Sequence, residues 1–217
     1  MMPDRWTWHA RYEWHVETAV DAGIVKLPDG WLSGGDPWWS REGVSFELRL
    51  APGAYPVRVA VAMAQAEEKT WRECAAAELI VDAAAVPTRW ELVPTLAFAT
   101  PGGGYWSELG VTCFAPTDWL ATGPMSVRDL LPPEHPGWQQ HDDDEGDDDL
   151  SLVLFTVGPQ HGECLTFAGY DDTGRVTRVV TDLGLLDVDP RNPTAALVDP
   201  HEQSRPADRA MRHPRSA

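Results

Sequence analysis

The sequence predicts a mostly β fold: an antiparallel β-sandwich or partly closed barrel with short helical turns, in one domain. Three observations predict it. Apolar residues alternate with polar ones at period two in several stretches. Proline, glycine and aspartate clusters punctuate those stretches at short intervals. No strand–helix–strand rhythm accompanies them, and no repeat of fixed period is visible.

The elements follow in order. From Arg5 to Glu17, Trp6, Trp8, Ala10, Tyr12, Trp14 and Val16 alternate with Thr7, His9, Arg11, Glu13 and His15, which predicts a long strand. Val44, Phe46, Leu48 and Leu50 alternate with Ser45, Glu47 and Arg49 and run into Ala51-Pro52-Gly53. Tyr55, Val57, Val59, Val61 and Met63 resume the pattern, so residues 44–63 read as a β-hairpin. Weaker strands are expected near 74–82, 88–94 and 105–114, with helix as an alternative over the alanine-rich 75–85. Residues 117–131 suit short helical turns. LSLVLFTVG from Leu150 reads as an apolar strand, and GECLTFAGY and RVTRVVTD form a second hairpin around Asp171-Asp172-Thr173-Gly174.

The domain so drawn spans residues 1–188. It is interrupted near 139–149 by an acidic loop, in which residues 142–149 carry seven acids in eight positions. Residues 189–217, rich in proline and charge and without periodicity, are expected to be a disordered tail.

Composition narrows the function classes. With 43% hydrophobic and 24% charged residues, the chain can bury a core. Its 34 acidic and 17 basic residues leave a net charge of −17, a field that repels phosphate backbones and attracts basic proteins. Nucleic acid is therefore not expected as a partner, and a basic protein is. No apolar run approaches a membrane span, and MMPDRWTWHARYEWH is not a signal peptide, so no membrane association and a cytoplasmic location are expected. Cys74, Cys113 and Cys164 are odd in number, widely spaced and outside any CxxC, which points to buried thiols rather than a disulfide framework or zinc cluster.

The segment Glu17–Pro37, with Gly23, Pro28-Asp29-Gly30 and Gly35-Asp36-Pro37 in order, resembles the opening signature of the domain of unknown function 4241 family. Pro52-Gly53-Ala54-Tyr55-Pro56-Val57, Ala75–Leu79 with Arg89–Leu92, and Gly169–Asp171 through Val180–Gly184 are similar to its later segments. The resemblance implies a bacterial, cytosolic, β-rich domain and supplies no catalytic residues. Where the family shows two aspartates, this chain has Glu108 and Pro116. A cation held by those acids in relatives would here find one ligand lengthened and another missing.

Asp36, Glu108, Asp171 and Asp182 are the acids beside turns or glycines that could gather around a divalent cation for hydrolysis or ligand binding. Asp36, Asp171 and Asp172 also suit Asx-type turns, in which a carboxylate accepts from nearby backbone amides. The seven histidines include no HxH or HxxxH pair, and no nucleophile stands at a telling distance, so no catalytic residue and no cofactor is assigned. Of eleven tryptophans, Trp38 and Trp39 are adjacent; on a strand they face opposite ways, so one is expected to reach solvent, to meet a protein or stack on a sugar. The leading expectation is a non-enzymatic interaction domain, an immunity-type antagonist of a basic partner.

Overall fold

A computed structural model of the 217-residue chain describes residues 15–37, 44–66, 69–95, 104–107, 110–117, 137–142, 151–157 and 162–185. They form β1 (His15–Leu27), β2 (Trp31–Gly35), β3 (Val44–Arg49), β4 (Gly53–Ala66), β5 (Lys69–Ile80), β6 (Arg89–Leu92), β7 (Gly104–Ser107), β8 (Val111–Pro116), β9 (Trp138–Asp142), β10 (Ser151–Thr156), β11 (Gly162–Tyr170) and β12 (Val176–Asp182). All pairings are antiparallel, in one sheet of order β3-β2-β8-β10-β1-β4-β5-β12-β11-β6. β7 pairs with β11 and β9 with β10 beside this path. The sheet curls until Thr95, three residues past β6, bridges Phe46 of β3. The architecture is therefore a partly closed barrel, whose two ends meet at Phe46–Glu47 and Pro94–Thr95.

The expected hairpin over 44–63 is corrected. Both strands exist, but they do not pair with each other: β3 pairs with β2, and β4 with β1 and β5. The pairing β1–β4 runs to Leu27↔Gly53, and Trp31↔Arg49 of β2–β3 takes it up again. Pro52-Gly53 is thus one side of a corner in a long two-stranded ribbon, and Pro28-Asp29-Gly30 is the other. The Leu50 N–H donates to the Gly30 carbonyl at 2.9 Å and the Tyr55 hydroxyl to the Ala51 carbonyl, so the groups that would close a reverse turn are used to hold the bend.

β1 also differs from expectation. It covers His15–Leu27, within the segment carrying the family-like signature, whereas residues 5–14 of the expected first strand lie outside the described residues. Asp21 and Gly23 flank a register shift against β4, an irregularity that blurs the alternation. β9 includes Gln139–Asp142, so the first residues of the expected acidic loop are strand, and 143–150 lie outside the described residues. The tail, and the helical turns expected beyond Thr117, also lie outside them.

Over 75–80 the helix alternative gives way to strand β5. Ala75, Ala76 and Ala77 are buried between β4 and β12, where their small side chains let covering groups approach both faces of the sheet. The interior holds Val25, Leu27, Leu32, Phe46, Val57, Val59, Leu79, Phe114, Val153, Phe155, Val179 and Leu183. Phe114 and Phe155 meet edge to face, with ring centroids 5.3 Å apart.

Candidate functional site

Asp171 occupies the first turn position after β11. Its Oδ1 accepts from the Thr173 N–H at 2.9 Å, the Thr173 hydroxyl at 2.6 Å and the Arg175 N–H at 2.9 Å. Its Oδ2 accepts from Arg175 Nε at 3.0 Å and Nη2 at 2.9 Å. The Thr173 hydroxyl, the Arg175 amide and the Arg175 guanidinium hold the Asp171 carboxyl well below the usual carboxylate range. These are the bonds of an Asx turn, and they engage both oxygens of the side chain.

Asp182 sits at the other end of the same hairpin and accepts the Gly184 N–H at 2.8 Å. Tyr170 pairs with Val176 at the turn and Leu165 with Asp182 at the far end, a separation of roughly 17 Å along the strand. Asp171 and Asp182 therefore cannot ligate one ion, whose oxygen ligands sit within about 2.6 Å of it. Asp36 is buried just beyond β2, where Gly35 pairs with Cys113 of β8. Burial, with the Asp36 charge adding to it, pushes the Cys113 thiol far up. Among the described residues, no three His, Cys, Asp or Glu side chains are grouped to hold a metal ion. Glu108, Trp38 and Trp39 lie outside the described residues.

Several polar groups were not singled out from the sequence. On the outer face, Glu78 is 2% exposed and takes Arg58 Nε at 3.0 Å and Arg178 Nε at 3.2 Å, a buried carboxylate between two guanidiniums. Arg178 also donates to the Thr177 carbonyl at 2.8 Å and to the Asp82 and Ala83 carbonyls, so it fastens the loop after β5. In the interior the Tyr105 and Thr112 hydroxyls meet at 2.7 Å, Thr112 donates to the Gly35 carbonyl at 3.1 Å, and the Thr166 and Thr181 hydroxyls meet at 2.9 Å. Arg58, Arg178, Thr166 and Thr181 all sit in clear strand alternations, but strand pairing alone brings each to its partner. Every member of these groups has a bonded partner, as burial demands.

Five arginines repeat one theme, whereas Arg49 donates to the Asp29 carbonyl and lies over the Trp31 ring. Arg58 and Arg178 pair with Glu78, Arg72 with Glu17, Arg89 with Glu91, and Arg175 with Asp171. Five guanidiniums stand beside four carboxylates, Glu78 serving two of them, so most of this positive charge is offset where it stands. The acid run is differently placed. Asp142, its first residue, pairs with Ser151 across β9–β10, and residues 143–150 lie outside the described residues.

Compared with known proteins, the chain matches no family model, no curated protein and no solved structure. No helix among the described residues is long and apolar enough to cross a membrane.

Proposed function

We propose that this chain is a protein-interaction domain for a basic partner, an immunity-type antagonist that acts by charge, and that it belongs with the domain of unknown function 4241 family. The observation that carries the reading is the run of seven acids in residues 142–149, whose first residue, Asp142, pairs with Ser151 across β9–β10. Seven acids in eight consecutive residues are a dense run of like charge, and such a run attracts a cationic surface strongly. The pairing of Arg58, Arg72, Arg89, Arg175 and Arg178 with Glu78, Glu17, Glu91 and Asp171 leaves one cation in excess, at Glu78, to set against a net charge of −17.

The test compares the full chain with a variant in which Asp143, Asp144, Glu145, Asp147, Asp148 and Asp149 become Asn or Gln. Each is used as bait in native lysate at low salt and near 1 M salt, where screening shortens to about 3 Å. The reading expects a stoichiometric basic protein retained by the wild type at low salt, released by high salt and bound at least about tenfold more weakly by the neutralised variant. Equal capture by both baits, or no stoichiometric protein at low salt, overturns it.

A further inference from the structure

β6 ends the path of paired strands, so β11 covers one of its edges and no described strand covers the other along Arg89–Leu92. Backbone alternation gives the direction of the open groups. The Val93 N–H donates to the Thr166 carbonyl at 2.8 Å, so Arg89, Glu91 and Val93 address β11, while Trp90 and Leu92 aim their N–H and C=O groups away from it. Pro94 obeys the same alternation: its carbonyl accepts the Glu47 N–H of β3 at 2.9 Å. Beyond that bond β3 departs toward the corner, where Leu50 is bonded to Gly30. Among the described residues the edge is left open at Trp90–Leu92.

The surroundings of this edge are those of a contact surface. Of the three large apolar side chains exposed among the described residues, one precedes β6, Val86 at 77%, and one ends it, Leu92 at 38%. Arg89 and Glu91 lie two apart on one face, paired with each other and each about half exposed. Such an edge is a template for another strand.

We infer that the open edge of β6 receives β6 of a second copy, antiparallel and with its two-fold axis at Trp90. The sequence of the strand selects this occupant. With the axis at Trp90, Arg89 stands opposite Glu91 of the partner subunit and Glu91 opposite Arg89 of the partner subunit, so two cross-strand ion pairs form from one self-complementary segment. β6 carries one charge of each sign, so the contact is locally neutral although each copy carries −17 overall. A four-residue strand buries little area, which makes the dimer weak and concentration-dependent. Because bulk charge opposes it, added salt strengthens it, the reverse of the salt response expected for a basic partner. The inference does not depend on the acid loop.

Sedimentation velocity of the full chain, over a concentration series reaching about 0.5 mM, tests it in the range where small interfaces populate. The wild type is expected to pass from monomer to dimer, more readily at about 0.5 M than at about 0.05 M salt, roughly 5-fold above and 2-fold below the 0.1 M at which charges are screened over about 10 Å. Leu92→Pro removes an N–H that faces the open edge and none that faces β11, so it is expected to weaken the dimer at least tenfold while circular dichroism stays that of the wild type. Glu91→Arg is expected to weaken it, and Arg89→Glu with Glu91→Arg to restore it. A monomer at every concentration, whether or not a foreign strand binds there, overturns the inference, as does a dimer that Leu92→Pro leaves intact. Should Leu92→Pro misfold, failure of the charge swap to restore what Glu91→Arg loses overturns it alone.

Discussion

Glu73 is half-buried on β5, and burial raises its carboxyl from 4.5 to about 7. The fold therefore favours the protonated form. That contribution is complete below about pH 4.5 and is lost as pH rises through about 7. Once solvent screening is allowed for, the ionised group costs the folded state about 1–2 kcal/mol. Glu73→Gln is expected to melt about 2–6 °C above the wild type at pH 8 and level with it at pH 4.5, by calorimetry. Asp171 has the opposite sign. Its bonds favour the charged form, so its contribution is present above the ordinary aspartate range and fades as acid protonates it; Asp171→Asn should flatten the acid limb of the stability curve. Burial also pushes the Cys74 thiol up to about 11, and Cys113 and Cys164 are fully buried. Iodoacetamide at pH 8 is expected to label none of the three in the native protein and all of them in denaturant, read by mass. The turn role of Asp171 was legible because aspartate before Thr-Gly bonds within a few residues of itself. The burial of Glu73 was not, because it depends on what covers that side of the sheet.

At the scale of elements, the corner between β1–β4 and β2–β3 depends on Gly30, which has φ +82° and lies against the Leu50 carbonyl. A Cβ there would come within 2.1 Å of that oxygen, and the backbone atom cannot swing aside. Gly30→Ala is expected to cost about 2 kcal/mol or more, combining left-handed strain with loss of the Leu50 bond, read as a fall in the denaturant midpoint. Gly169 shows a second close approach. Trp90 lies over it, so that the indole reaches the outer cluster of Val16, Ala60, Ala76 and Val180. The strands β4, β10, β11 and β12 were legible from alternation or apolar runs, because a strand's own side chains carry that signal. Whether Pro52-Gly53 reversed the chain or bent it was not. The same residue types serve both turns and corners, and the distant partner β1 made the difference.

For the whole molecule, the acid loop and the segment beyond Val188 carry no apolar periodicity, so they are expected to be dispensable for folding. A chain ending at Val188, and one with residues 143–149 replaced by a short Gly-Ser turn, should each unfold in one cooperative transition within a few degrees of the wild type. Loss of cooperativity in either would move the domain boundary. Closure of the barrel makes the same demand on β3 and the residues after β6, since Phe46↔Thr95 joins the two ends of the sheet.

By itself the sequence determined that the chain folds as antiparallel β in one domain, which residues alternate, and that its surplus charge is negative. Those properties belong to neighbouring residues and to sums over the chain. Only the tertiary structure decided that the sheet curls into a partly closed barrel, that β3 and β4 part company, and that Glu78 is buried between Arg58 and Arg178. Register between distant strands sets those relations, and it comes from the packing of a shared interior that no single segment encodes.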